Sequence, residues 1–182
     1  MLDEVRDVMK HADCLFSQEQ VRHAIAKLAT EIKTELAHSN PVFICVMNGA
    51  LVVAGELLTQ LDFPLQVDYL HASRYREKLS GGQLQWKAEP STDLAGRTVL
   101  IVDDILDEGD TLVKINQYCR QQGANRVYNA VLIDKNHDRR HKELLRADFT
   151  GLDAPDRYLF GYGMDYKGYL RNAPGIFAVA GT

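Results

Sequence analysis

Apolar positions along the chain follow two periods, and the order of the periods predicts the fold. Val21, Ile25, Leu28, Ile32 and Leu36 recur at three- and four-residue steps, the spacing of one helix face. Ser17 and Gln20 precede them in the S-x-x-Q pattern of a capping box, and Pro41 follows, so a helix is predicted from just after Ser17 to near His38–Asn40. The unbroken apolar run over 42–47 reads as a strand buried on both faces, broken by Asn48 and Gly49. A helix is predicted over 50–61 and a strand over 67–70. The pattern then repeats, with a buried strand over 98–102, a helix over 111–122 closed by Gly123, and a strand over 126–133. Helices and strands in alternation predict an α/β domain with a central, mostly parallel sheet flanked by helices.

Between these elements the character changes. Residues 71–90 are polar, charged and glycine-containing, a long excursion of the kind that is functional or mobile, with Leu84 and Trp86 placed to line a strand. Residues 136–149 are charged and irregular, and the tail over 158–180 mixes aromatic residues and glycines before a last apolar strand. The two ends, about 1–20 and 150–182, are expected to form a small hood beside the carboxyl edge of the sheet. With 182 residues and no internal repeat, a single domain is expected.

Composition narrows the classes of function. Apolar residues make up 46% and charged residues 25%, as in ordinary globular proteins. A net charge of −4 weighs against a nucleic-acid partner held by broad phosphate neutralisation. No apolar run approaches the roughly 20 residues of a membrane span, and the first residues carry early acids without the apolar core of a signal peptide. Cys14, Cys45 and Cys119 are widely separated and form no C-x-x-C, so reduced thiols and a cytoplasmic location are expected.

The chemistry is expected at the carboxyl edge, where open α/β sheets bind ligands. Three polar sites fall there: Asn48-Gly49, residues 103–111, and residues 133–135. In VLIVDDILDEGDTL, Asp103 and Asp104 follow a buried strand. Two adjacent carboxylates suit either a pair of vicinal hydroxyls or a divalent cation. Asp107 lies three residues on, within reach of a reacting base. Gly109 permits positive φ, and the backbone N–H groups and Thr111 hydroxyl at the following helix start suit a phosphate. Residue by residue, an acidic solvated turn with a helix cap reads the same way; the whole constellation behind a buried strand favours the site. The acids of this segment repel a phosphate, so backbone donors and Mg²⁺ are expected to offset them. His137 and His141, four apart, would suit a metal only on a helix, which the local pattern does not support. His71 is expected to be structural.

This segment closely resembles the phosphoribosyl-diphosphate-binding motif of the type I phosphoribosyltransferases. Within that family the match narrows to the purine branch, the hypoxanthine-guanine phosphoribosyltransferases. VMNGA resembles their first loop, Ser73-Arg74-Tyr75 the start of their flexible loop, Lys135 their purine lysine, and YLFGYGMDYKGYLR their base-and-metal segment. The resemblance implies Mg²⁺-dependent transfer of 5-phosphoribose from 5-phosphoribosyl 1-diphosphate to a 6-oxopurine. It implies that Asp103 and Asp104 hold the ribose hydroxyls, with Asp107 the general acid/base at purine N7. Glu108, Gly109, Asp110, Thr111 and Leu112 would wrap the 5′-phosphate. Lys135 would donate to O6, Tyr158 stack on the ring, and the Leu159 backbone read its other edge. Asp165 would ligate Mg²⁺, with Asp103 and Asp104 as further candidates. Arg171 and the Asn48-Gly49 peptide would bind pyrophosphate, and residues 73–82 would form a lid. A homodimer or homotetramer is implied as well.

Three segments depart from the family pattern. Asn48 stands where Lys or Arg is frequent, which removes a charge from the first loop. The acid pair is Asp-Asp where many members carry Glu-Asp. Glu108 and Asp110 make the phosphate loop more acidic than versions with Thr or Lys. Two rivals remain: an enzyme preferring xanthine and guanine, and a regulator that keeps the phosphoribosyl site as a sensor. Against the regulator, Arg139, Arg140 and Lys142 are the main basic cluster, and no added DNA-binding domain is evident.

Overall fold

The computed structural model describes residues 1–74 and 84–182. Its elements are α1 (Leu2–His11), β1 (Asp13–Ser17), α2 (Gln18–Leu36), β2 (Val42–Met47), α3 (Leu51–Leu58), β3 (Gln66–Arg74), β4 (Leu84–Ala88), β5 (Thr98–Leu106), α4 (Asp110–Gln121), β6 (Arg126–Asn136), β7 (Phe149–Pro155), β8 (Leu159–Phe160) and β9 (Gly175–Ala178). Six strands form the main sheet in the order β4-β3-β2-β5-β6-β7. All its pairings are parallel except β3 with β4, which is antiparallel. Chain order reverses between β2 and β5, which opens a crevice at their carboxyl ends. A separate antiparallel sheet, β1-β9-β8, joins the two ends of the chain.

The continuous apolar runs sit where they must. β2, β5 and β6 are central strands, covered on both faces, and Phe43, Ile44, Leu100, Ile101, Leu132 and Ile133 are fully buried. α2 packs against β6, β7 and α3; α3 lies on β2 and β5; and α4 lies on β6. The predicted start of α2 is present: the Ser17 hydroxyl accepts from the Gln20 N–H at 3.3 Å, and the Gln20 side chain accepts from the Ser17 N–H at 2.8 Å. Asp68, on β3, accepts N–H groups from Tyr69, Ser91 and Thr92 at 2.7–2.8 Å, tying the segment after β4 back to the sheet.

Several boundaries differ from expectation. β5 does not end at Val102. Its ladder with β2 stops at the Cys45–Val102 pair, but its ladder with β6 runs on to Leu106–Asp134. Backbone pairing is indifferent to side-chain polarity, so Asp103 and Asp104 lie inside the strand rather than after it. β6 likewise runs through Lys135 to Asn136. α1, β1 and β7 were not anticipated. β7 carries Gly151, Asp153 and Pro155, which argue against a strand by propensity and are tolerated at an edge. A side chain at Gly151 would press on the Leu132 carbonyl, so only glycine allows β7 this close to β6. β7 falls in the range expected for the hood but belongs to the main sheet. The small sheet is fastened to its surroundings by Arg157–Asp13 at 2.7 Å, and Tyr162 reaches Glu56 of α3 at 2.6 Å.

Removing one half of the reciprocal cap should weaken α2. Ser17→Ala is expected to lower stability by about 1 kcal/mol, read as a shift of the urea unfolding midpoint; an unchanged midpoint would mean the cap contributes nothing.

Candidate active site

The crevice between β2 and β5 is a cavity of about 460 Å³. Its lining brings together Asn48, Gly49, Asp103, Asp104, Asp107, Glu108, Gly109, Thr111, Leu112 and Arg171. A second cavity, about 260 Å³, is lined by Lys135, Tyr158, Leu159, Met164 and Asp165. Asp104, Ile105 and Asp107 line both, so the end of β5 is their common wall. Asp110 is placed elsewhere: it opens α4 but lines a different hollow with Arg139, Arg140 and His141. Ser73 and Arg74 end β3, while Tyr75 and most of the expected lid lie outside the described residues.

Close backbone approach builds the meeting point of the three segments. A Cβ on Gly49 would overlap the Asp104 carboxylate, and a Cβ on Gly163 would overlap the Gly49 carbonyl. The tail, the first loop and the acid pair therefore interlock only through two glycines. The Met47–Asn48 peptide is cis. Gly109 adopts φ 92° and sets the direction of α4, whose first turn faces the large cavity.

Charged groups of both signs line the cavity. Asp103 and Asp104 are both buried, and the Asp104 N–H donates to Asp103 Oδ1 at 2.9 Å. Burial, then repulsion from Asp104, pushes the Asp103 carboxyl well up; burial also raises Asp104. Cations line the same cavity, and the Arg171 charge partly offsets the rise at Asp104. These cations are Lys87 and Arg171, and burial together with those two charges holds the His71 imidazole below its usual range. Arg171 donates to the Gly163 carbonyl at 2.5 Å and pairs with Asp165 at 2.6 Å.

The smaller cavity carries a network on its shared wall. Lys135 Nζ lies 3.2 Å from Asp107 Oδ2 and 3.7 Å from Asp156, and His137 Nε2 lies 2.7 Å from Asp107 Oδ1. Burial alone would raise the Asp107 carboxyl, but Lys135 and His137 outweigh it and hold it below the usual carboxylate range. Arg139 grips Asp156 at 2.7 and 2.9 Å and draws its pKa down to about 2. Among the described residues, Asp107, His137 and Asp156 are the one group of three whose ligand atoms lie within 4.8 Å of one another, and Lys135 and Arg139 already supply it with positive charge. Asp103, Asp104 and Asp165 do not converge in this way. Tyr158 is exposed and meets Tyr166 edge-on, ring centroids 5.6 Å apart.

Sequence reasoning missed four of these residues. Lys87 lies within the polar excursion over 71–90, where no periodicity points it inward. His71 lines the large cavity rather than serving only the fold. His137 was weighed only with His141, yet the two sit on non-helical chain and His137 turns to Asp107. Asp156 lies beyond an unanticipated strand.

A family model described as phosphoribosyl transferase domain matches residues 11–161. The hypoxanthine-guanine phosphoribosyltransferase of Bacillus subtilis is 33% identical over 93% of this chain and 94% of its own length. The hypoxanthine-guanine-xanthine phosphoribosyltransferase of Tritrichomonas foetus is 32% identical over 97% and 92%. The crystal structure of a hypoxanthine phosphoribosyltransferase from Staphylococcus aureus superposes with a TM-score of 0.84 at 26% identity, covering 92% of this chain and 90% of that one.

Two buried adjacent carboxylates strain the fold. Asp103→Asn keeps the acceptor for the Asp104 N–H and removes the repulsion. Because the folded Asp103 pKa is raised, the acid destabilises the wild type above the unfolded pKa and ceases to do so as pH falls below it. The variant is expected to be more stable near neutral pH by on the order of 1 kcal/mol, with the gain vanishing in acid. Chemical unfolding at pH 7.5 and in acid checks this; a destabilised variant at pH 7.5 would show that the pair is not strained.

Proposed function

The chain belongs to the phosphoribosyl transferase family, and we propose that it transfers 5-phosphoribose from 5-phosphoribosyl 1-diphosphate to hypoxanthine or guanine, giving IMP or GMP and pyrophosphate in purine salvage. The observation that carries this reading is the pair of adjoining cavities with a common wall at the end of β5. The larger takes the sugar with its phosphates, the smaller the base, and the reacting atoms meet beside Asp104 and Asp107.

Each cavity has its partners in the substrates. The carboxylates of Asp103 and Asp104 accept the ribose hydroxyls. Backbone donors from Glu108 to Leu112, at the start of α4, hold the 5′-phosphate. The diphosphate lies toward Arg171, Lys87 and the Asn48-Gly49 peptide. Lys135 donates to purine O6, Tyr158 stacks on the ring, and the Leu159 backbone meets the edge at C2. As the C1–O bond breaks, its electron pair leaves with the diphosphate and positive charge grows on the ribose. Purine N9 forms the new bond to C1 while the N7 proton passes to Asp107. Arg171 and Lys87 stabilise the charge on the departing group.

Mg²⁺ belongs to the same reading. The hard oxygens of Asp103, Asp104 and Asp165 suit it in kind, and the buried pair is short of positive charge. These carboxylates would hold the ion together with diphosphate oxygens and water, since they do not converge by themselves. When bound, the ion supplies charge neutralisation to the leaving diphosphate.

The hood reading, the cytoplasmic location and the oligomeric state follow in the same way. No helix is long and apolar enough to cross a membrane among the described residues. Val67 and Tyr69 are more than half exposed on one face of β3, a surface suited to a homodimer or homotetramer. Xanthine is a second substrate to consider, because a relative of nearly equal similarity bears that base in its name.

Steady-state assays with hypoxanthine, guanine, xanthine and adenine test the proposal. Hypoxanthine and guanine should react efficiently and adenine should not. Efficient use of adenine, or no turnover of any purine, would defeat it. Gly49→Ala should push the Asp104 carboxylate aside and lower kcat/KM for 5-phosphoribosyl 1-diphosphate by about 100-fold. Gly55→Ala, whose added Cβ meets nothing within 4 Å, should leave it unchanged. Equal activity of the two variants would mean that the Gly49–Asp104 contact does not shape the site.

A further inference from the structure

We propose that His137 is a positioning residue for Asp107: it anchors one carboxylate oxygen so that the other faces the purine when the base draws Lys135 away. The proposal rests on the reading of Asp107 as the acceptor of the N7 proton.

The hydrogen bonds around the ring assign its tautomer. Nδ1 accepts the Arg139 backbone N–H at 3.0 Å, so Nδ1 carries no proton and the hydrogen resides on Nε2. Nε2–H therefore donates to Asp107 Oδ1 at 2.7 Å. The imidazole is almost wholly enclosed, with 3% of its side chain accessible, whereas the carboxylate it holds is 43% accessible. A ring fixed on both nitrogens and packed on all sides is a rigid donor; the exposed carboxylate is the part free to turn.

Asp107 has two holders of different kinds. His137 binds Oδ1 from behind the wall, and Lys135 binds Oδ2 from within the base pocket. A purine O6 in that pocket competes for the Lys135 ammonium. Once Lys135 turns to O6, Oδ2 loses its donor and gains an open lone pair facing the base. The lost cationic contact also raises the proton affinity of the carboxylate, as a proton acceptor needs. Without the hold on Oδ1, rotation of the carboxyl would let Asp107 follow Lys135 instead of staying at N7. The same bond thus determines which oxygen reacts and prevents the base lysine from carrying the acid away.

Two amide replacements separate this role from simple packing. In His137→Asn the side-chain oxygen takes the place of Nδ1 and keeps the Arg139 bond, but the side chain is too short to reach Asp107. In His137→Gln the terminal NH₂ takes the place of Nε2 and keeps the Asp107 bond. Single-turnover rates of nucleotide formation, which exclude product release, are compared with the Kd for 5-phosphoribosyl 1-diphosphate and the thermal midpoint. His137→Asn should slow the single turnover at least tenfold with Kd changed less than twofold, and His137→Gln should recover to within about threefold of wild type. Full activity of His137→Asn, an equal loss in both variants, or a loss that follows Kd or the thermal midpoint would overturn the proposal. Asp107→Asn serves as the control. If it retains the wild-type rate, the proton-acceptor reading fails; if it is inactive while His137→Asn is not, the positioning role alone fails.

Discussion

Two adjacent carboxylates buried at the carboxyl edge of β5 set the terms for the rest of the molecule. Desolvation works against both Asp103 and Asp104, and the Asp104 charge works against Asp103 as well; Arg171 only partly offsets the burial of Asp104, and among the described residues neither acid forms an ion pair. A fold keeps such a pair only where surrounding structure holds it rigidly. Here the β5–β6 ladder extends past the apolar run to carry both acids, and the β2 ladder stops short to leave them facing a crevice. Gly49 and Gly163 let the first loop and the tail close on Asp104 without side chains in the way. On the proposed reading, ribose hydroxyls or a cation would relieve the unfavourable arrangement.

That constraint explains the distribution of charge around it. On the proposed reading a polyanion binds beside these carboxylates and needs compensating donors. Arg171 and Lys87 line the large cavity, the Arg171 charge acts on Asp104, and the first turn of α4 adds backbone donors. The smaller cavity follows a different rule. There the lysine and the acid are paired with each other before any ligand arrives, which keeps both charges compensated in a half-enclosed place. On the proposed reading, purine O6 would release the pair by taking Lys135.

Much of this was legible in the chain because a buried parallel strand has no polar alternation, so VFICVM and VLIV announce themselves and the residues just after them mark the ligand edge. The Ser17–Gln20 box was legible for a local reason, since a cap depends on residues three apart. What escaped depended on distant partners. The strand at 149–155 forms against propensity because β6 offers it an edge. Lys87 enters the site through the pairing of β4 with β3, which its neighbours in sequence do not encode. His137 carried a signal in its two-residue separation from Lys135. On extended chain that spacing places both side chains on one face, but the partner that gives it meaning, Asp107, lies thirty residues earlier.

The central claim is that the base enters by taking Lys135 from Asp107 on the wall shared by the two cavities. A crystal structure of the protein with bound GMP tests it most directly. The account predicts purine O6 within hydrogen-bond distance of Lys135 Nζ, the Lys135–Asp107 contact opened beyond it, and the His137–Asp107 bond intact. A nucleotide bound with its base outside this pocket, or with Lys135 still on Asp107, would contradict it.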